Sequence, residues 1–291
     1  MRSRYLPARQ SAVSFLVVSQ NGDGGWGYAP GQHSVLEPTA AAALALSGDP
    51  SARDSYERAL GWIQVAQHRD GGWGFNPEDG EGSWQTAWAL LALAPAGVAR
   101  GAADRGAAWL LAVETFDLGD APNFQEVLAI DPTLRGWPWR PGEASFVEPT
   151  ALAMLALHAV PATGQNRSRL DEAVTYLQDR RCRGGGWNVG NPMMFSKPLP
   201  PRAHPTAWVL LALARLAPQA IAHEDQAALL ADMERDGGAL ALAWGVLALT
   251  VLGNEQTLMP TRLATLQAPN GGWNENPYHT AVATMALQGG F

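Results

Sequence analysis

The stretch "WIQVAQHRDGGW", Trp62–Trp73, couples an apolar helical face to a glycine-rich turn that ends on a tryptophan. A tight turn has a use for glycine, which reaches backbone angles closed to other residues. It has no use for a tryptophan at a fixed place. Yet the pattern returns as "FLVVSQNGDGGW" at Phe15–Trp26, "YLQDRRCRGGGW" at Tyr176–Trp187 and "LATLQAPNGGW" at Leu263–Trp273. Gln20, Gln67 and Gln267 each stand six residues before their tryptophan, and Arg181 holds that place in the remaining copy. Self-similarity of this kind marks a repeat architecture and takes priority over any local reading.

A second pattern alternates with the first. "EPTAAAALAL" starts at Glu37, "WQTAWALLAL" at Trp84, "EPTALAMLAL" at Glu148, "HPTAWVLLAL" at His204 and "YHTAVATMAL" at Tyr278. A sixth copy, "LALAWGVLAL" from Leu240, puts Leu242 where the threonine should be. The anchors Thr39, Thr86, Thr150, Thr206, Leu242 and Thr280 are 36 to 64 residues apart, the length of a helical hairpin plus loops. Two worn segments fill the missing places of the first pattern. They are "AAWLLAVETF" at Ala107–Phe116 and "AALLADMERDGG" at Ala227–Gly238, read without a tryptophan turn.

The alanine-leucine helices are apolar all round, which demands burial on every side. Helices of the first pattern carry charge on one side, as in "SARDSYERALGWIQVAQ" at 51–67. An inner set and an outer set follow. Six hairpins with a buried inner ring make an all-α fold, an α/α toroid that takes up 1–291 as one domain. An open solenoid needs end units with a polar outer face. The last inner helix has the same apolar texture as the first, so the ring is expected to close.

Composition narrows the function classes. The chain has 291 residues, 47% of them hydrophobic and 16% charged, with a net charge of -7. An acidic chain is a poor partner for nucleic acid, whose binding rests on neutralising phosphates. Cys182 is the single cysteine, which excludes an internal disulfide and a zinc site with two thiolates. No segment approaches the roughly 18 continuous apolar residues of a membrane span. The opening "MRSRYLPARQSAVSFLVVSQ" has no small-residue cleavage pattern, so a cytoplasmic protein is expected. Arg2, Arg4 and Arg9 make its start slightly basic, the one feature that suggests a peripheral membrane contact.

The order of aromatic-leucine pair, glutamine, glycine turn and tryptophan resembles the QW motif of the squalene-hopene and oxidosqualene cyclase family. The repeat is also similar to prenyltransferase and squalene-oxidase repeats generally. Gln20/Trp26, Gln67/Trp73 and Gln267/Trp273 carry the match, which spans nearly the whole chain. The resemblance implies a terpenoid cyclase-like toroid and an apolar, isoprenoid-like substrate in its central cavity. The full cyclases have two toroids and protonate substrate with an Asp-x-Asp-Asp run. This chain has room for one toroid, and has neither that run nor an Asp-rich diphosphate-magnesium motif. No catalytic acid therefore carries over.

Related toroid families fit less well. Protein prenyltransferase β subunits hold zinc with Asp, Cys and His, but Cys182 falls in an outer-helix turn. Lanthipeptide cyclases need two cysteines on zinc. Six-hairpin glycosidases use two carboxylates, with no sugar-binding signal here beyond the tryptophan content. No cofactor and no metal are expected.

Each unit runs from outer helix through the turn into the N-terminus of an inner helix, so insertions there share one face. Two exist, at 116–147 and 188–203, and long irregular segments in a compact domain are commonly lids or binding loops. Both are expected to overhang the inner-helix mouth. The mouth positions give Glu37, Glu148 and His204 as candidate catalytic residues. Trp84, Trp88, Trp208, Trp244, Tyr278 and His279 are candidate substrate-binding residues. A carboxyl in an apolar pocket has a raised pKa and can donate a proton, and aromatic faces stabilise a cation. The plainer readings are a helix-dipole role for the glutamates, backbone-satisfying hydroxyls for the threonines and core filling for the tryptophans.

The expected function is acid–base chemistry on an isoprenoid: cyclisation, isomerisation, or hydration and dehydration. The alternative is a non-catalytic isoprenoid- or lipid-binding or scaffold subunit whose protein partner covers the cavity mouth.

Overall fold

The computed structural model describes residues 4–116, 119, 127–161, 163–254 and 258–290, and helices alternate along all of them. Arg2 and residues 117, 118 and 120–126 of the first expected insertion lie outside this set. Helices α1 (Leu6–Ser19), α3 (Arg53–Val65), α5 (Arg100–Ala112), α7 (Gly164–Asp179), α9 (His223–Asp236) and α11 (Leu258–Thr265) form an outer layer. Helices α2 (Leu36–Leu46), α4 (Gln85–Ala96), α6 (Val147–His158), α8 (Ala203–Leu216), α10 (Ala239–Val251) and α12 (Pro277–Gln288) form the inner layer. Each inner helix packs on the next, and α12 packs on α2, so the inner ring is closed. The first outer helix, α1, lies against the last inner one, α12, which interlocks the two ends of the chain.

The inner ring follows from its composition. Every residue of α2 is buried, Ala40–Ala43 among them, and a helix with methyl side chains lets its neighbours approach closely. Chain direction alternates, so all six inner N-termini lie at one end. Short links join inner to outer helices at the far end. The long links, 20–35, 66–84, 113–146, 180–202 and 266–276, lie at the N-terminal end, where only Gly237–Gly238 is short.

The repeated turn is a clasp. Each turn tryptophan donates its backbone N–H to the anchor threonine: Trp26 to Thr39, Trp73 to Thr86, Trp187 to Thr206 and Trp273 to Thr280, at 2.9–3.0 Å. Its indole N–H reaches back to a carbonyl ten residues earlier in the outer helix. The acceptors are Leu16, Ile63, Leu177 and Leu263, at 2.6–2.9 Å. Those carbonyls near helix ends have no partner within the helix and need one. The glutamine extends the clasp to the next unit. Gln67 donates to Gly71 O in its own turn and to Ala102 O in α5, at 2.8 and 2.9 Å. Gln20 makes the same pair of bonds to Gly24 and Ser55, and Arg181 reaches Ala220 O from the equivalent place. Gln267 donates to Gly271 O and, across the closure, to Ala8 O in α1, both at 2.8 Å.

The glycine pair is required by this geometry. Gly71 has φ +93°, and a Cβ on Gly72 would stand 2.9 Å from the Trp109 ring of the next outer helix.

The third unit corrects the sequence reading. It has a tryptophan after all, Trp137, hidden inside the 116–147 segment. Trp137 N–H donates to Thr150 Oγ1, and its indole donates to Leu110 O, both at 2.7 Å. A Cβ on the preceding Gly136 would fall 2.2 Å from Thr150 Oγ1, the same crowding that sets Gly25 against Thr39. The indole's partner lies 27 residues back rather than ten, because the insertion separates the helix from its turn. So Gly136–Trp137 belongs to the repeat, and only the residues around it are inserted. That segment pairs Trp137–Pro138 with Ser145–Phe146, and the 188–203 segment pairs Met193–Met194 with Lys197–Pro198.

Candidate active site

The N-terminal ends of the inner helices gather aromatic and ionisable side chains at one end of the ring, with the aromatic ones lowest. Trp88 from α4, Trp208 from α8 and Trp244 from α10 are almost wholly buried. Their ring centroids lie 5.4–6.1 Å apart, and Tyr278 of α12 closes on Trp88 at 6.0 Å. These rings pack on one another, so they form a floor, and the walls above it come from other residues. The Tyr278 face is continued upward by Tyr28, which sits edge-on to it, and by Phe75, stacked on Tyr28. Trp84 is half-buried on the opposite rim. It meets Trp139 edge-to-face at 4.8 Å, and its N–H donates to Trp139 O. Trp139 thus meets the chain just before α4, and Val189 O accepts from Val147 N at the start of α6.

Both glutamates turn inward. Neither caps its helix: α2 and α6 start without a side-chain cap. The Tyr28 hydroxyl donates to Glu37 Oε2. Burial pushes the Glu37 carboxyl up to about 7. The Tyr28 bond, the nearby Tyr278 hydroxyl and the Trp88 indole work against that shift by favouring the charged form. Glu148 is also pushed up to about 7, first by burial and then by the charge of Glu37. The charge of Glu37 thus reaches Glu148, although they come from units one and three. With both held near 7, each populates its protonated and its ionised form at neutral pH.

His204 completes the group. Its Nδ1 lies 3.7 Å from Glu148 Oε1. Its ring meets Trp208 edge-on at 4.5 Å and stacks over Trp244 at 5.8 Å. About a third of the side chain, 31%, stays accessible. Burial, and then the neighbouring His279, push His204 down to about 4, so it is neutral at pH 7. His279 is more peripheral. Its Nδ1 pairs with Asn274 at 3.0 Å, and burial lowers its pKa.

All the residues proposed from the sequence therefore meet at one end of the ring. Tyr28, Trp139 and Gln85 were missed. Tyr28 and Trp139 each stand two residues after a turn tryptophan, Trp26 and Trp137, as Phe75 does after Trp73, and that shared aromatic position was a usable signal. Gln85 occupies the slot that holds proline in three of the other units, and that polar exception was a usable signal. Among the described residues no group of His, Cys, Asp and Glu could hold a metal ion. Nor is any described helix long and apolar enough to cross a membrane.

Comparison with known proteins agrees with this architecture. Residues 2–119 match the family model of the squalene-hopene cyclase C-terminal domain. No curated protein matches in sequence. Among solved structures, the type II terpene cyclase MstE from Scytonema, in complex with geranylgeranyl dihydroxybenzoate, is similar over 99% of this chain and 97% of that one. The identity is 17% and the TM-score 0.67. A protein from Actinoplanes is similar over 97% and 98%, at 17% identity and a TM-score of 0.68. An inactive α-1,6-mannanase variant from Salegentibacter, with 9% identity over 97% and 98%, reaches 0.67. Likenesses this remote establish the toroid alone, which terpene cyclases share with a sugar hydrolase. The chain is an α/α toroid whose residues 2–119 are similar to the squalene-hopene cyclase C-terminal domain.

Proposed function

We propose that this squalene-hopene cyclase-like toroid is an acid–base enzyme that rearranges an isoprenoid in the recess at its inner-helix N-termini. The observation that carries the reading is the placement of two buried carboxyls, both pushed up to about 7, beside an aromatic cluster. A protonated carboxyl, Glu37 or Glu148, gives its proton to the substrate and leaves a cation. The Trp88, Trp208 and Trp244 faces stabilise that cation as it moves. The other carboxylate, or neutral His204 beside it, removes a proton from carbon and ends the reaction. Cyclisation and isomerisation by this route are redox-neutral and need no co-reactant. Hydration adds one water, and dehydration releases one.

Glu37→Gln and Glu148→Gln test it. Positioned acid–base groups contribute roughly 10²- to 10⁴-fold, so each variant is expected to lose at least about a hundredfold in turnover while still binding substrate. Full turnover in both variants, on every isoprenoid the wild type accepts, ends the proposal.

A second reading is a carrier or scaffold subunit. It is favoured by the 188–203 hairpin, which presents Phe195 at 77% exposure beside the mouth as a surface for a protein partner or a membrane. Native mass spectrometry of the purified protein separates the two. A stable heteromer with an empty recess supports the scaffold.

A further inference from the structure

The end of the ring opposite the glutamates holds a cavity of about 740 Å³, on the side where the inner helices finish. Ligand sites commonly measure roughly 300–1,000 Å³. Its inner lining is apolar. Leu44 of α2, Leu91 of α4 and Leu155 of α6 supply it, each five residues beyond its anchor threonine. Its rim is cationic. Arg215 comes from the last turn of α8, His158 from the last turn of α6, and Arg9 from the start of α1. In the ring of six, α8 stands three places from α2, and α1 lies against α12 and α2. The two arginines therefore reach the cavity from opposite sides.

Helix electrostatics account for only part of this rim. The carbonyl end of a helix favours a cation in its last turn, which suffices for Arg215 and His158. Arg215 also donates to Leu211 O at 3.4 Å, and burial lowers its pKa. A charge partly removed from water in this way interacts more strongly with an opposite charge. Arg9 is placed against the helix preference. It is the fourth residue of α1, at the end that favours anions. Its guanidinium has no hydrogen-bond or ion-pair partner among the described residues. The one acidic side chain among the described residues of the lining is Asp49, and it is already engaged. It accepts from the N–H and the hydroxyl of Ser51, at 2.9 and 2.6 Å. A chain of net charge -7 thus gathers two guanidiniums and an imidazole around one apolar cavity.

We propose that this cavity binds a small amphiphilic anion, a phosphate monoester on an apolar chain, with its head between Arg9 and Arg215 and its chain against the three leucines. The fork of N–H donors on a guanidinium matches phosphate oxygens two at a time. Two fixed positive charges favour a dianionic phosphate over a singly charged carboxylate. The leucines add affinity in proportion to the apolar area that they cover. The site lies across the ring from Glu37, Glu148 and His204 and does not depend on their chemistry.

Calorimetry with octyl phosphate, octyl glucoside and inorganic phosphate tests the proposal, the two octyl compounds being kept below their aggregation limits. Octyl phosphate is expected to bind at least about tenfold more tightly than either of the others, the effect of one charge-assisted hydrogen bond. Arg9→Gln removes a side chain without a partner in the protein. Its thermal unfolding should match that of wild type, while its preference for octyl phosphate over octyl glucoside falls by about tenfold. Arg9→Gln and Arg215→Gln together should abolish that preference. In a nuclear magnetic resonance titration the ring signals of His158 should move and those of His204 should not. Equal binding of octyl phosphate and octyl glucoside, an unchanged preference in Arg9→Gln, or shifts at His204 in place of His158 overturns the proposal. Equal binding of octyl phosphate and inorganic phosphate removes the role of the leucines and overturns it too. Flotation with phosphatidic acid vesicles, without binding of octyl phosphate, overturns it by assigning the arginines to a membrane surface.

Discussion

Two sets of tryptophans, equally buried, behave in opposite ways. The turn set, Trp26, Trp73, Trp137, Trp187 and Trp273, spends every indole N–H on a carbonyl of its own outer helix. The mouth set, Trp88, Trp208 and Trp244, gives none of its indoles to a backbone carbonyl. The turn set repeats because every hairpin poses the same problem, a helix end to satisfy and a neighbour to hold. The mouth set is irregular because the six inner helices contribute six different side chains to one shared space. Where residues repeat, they solve the fold. Where the repeat is broken by Glu37, Trp84, Glu148, His204 and Tyr278, the fold has placed groups that do not help it.

The largest expected effect separates the two sets by what each variant loses. Glu37→Gln and Glu148→Gln should lower turnover by about 10²- to 10⁴-fold without unfolding the protein. Trp73→Ala should do the reverse. It empties a fully buried site and should lower stability by about 3–5 kcal/mol in denaturant unfolding. A stable Trp73→Ala protein with lost activity would break the division between clasp and site.

The glutamates also predict a pH signature. Both are held near 7, above the ordinary glutamate value. Below the ordinary value the carboxyls are protonated in the folded and unfolded chain alike, and cost nothing. As pH rises toward 7 the folded protein must keep or bury what the unfolded chain ionises freely, so stability falls, and the full cost is present above 7. Glu37→Gln should therefore be more stable than wild type at pH 8, by up to about 3 kcal/mol, and no different at pH 4. His204 works in the opposite sense. Its folded pKa is depressed to about 4, so the stability of its neutral form is lost as pH falls from its ordinary value through 4. Thermal unfolding across pH 4–8 checks both limbs. Turnover should decline above pH 7 as the acid loses its proton.

A smaller effect addresses the indoles directly. Trp73→Phe strands Ile63 O and should cost about 1–3 kcal/mol beyond the lost volume. Trp208→Phe strands nothing, and its measured loss should be smaller by that amount. Smallest is Gln267→Ala, at about 1–2 kcal/mol, because it removes two hydrogen bonds at the ring closure. If Gln267→Ala costs more than Gln67→Ala, closure is the weak point of the ring.

The periodic part of the protein was legible before any coordinates. Alternation of apolar and half-charged helices required two layers, and the recurring Gly-Trp turn defined the hairpins. Comparing equivalent positions brought out Glu37, Glu148 and His204, because each departs from its neighbours in the repeat. Trp137 escaped because its helix partner lies 27 residues away rather than ten, although it stands 13 residues before Thr150 as Trp26 stands before Thr39. Trp139, two residues further on, escaped with it, and Tyr28 holds the same offset from Trp26 within what reads as a plain turn.

Sequence by itself determined the toroid, since each helix's burial follows from its own pattern and each clasp from contacts within one or two units. It also picked out the ionisable and aromatic residues that meet at the inner-helix N-termini. Only the tertiary structure decided their states. Two glutamates more than a hundred residues apart meet at one end of the ring, where burial raises both and the charge of Glu37 raises Glu148 further. A histidine is held neutral beside one of them, and three buried indoles meet no backbone carbonyl. These properties come from desolvation and from charges across the ring axis, which depend on all the surrounding helices at once, and no local stretch of sequence encodes them.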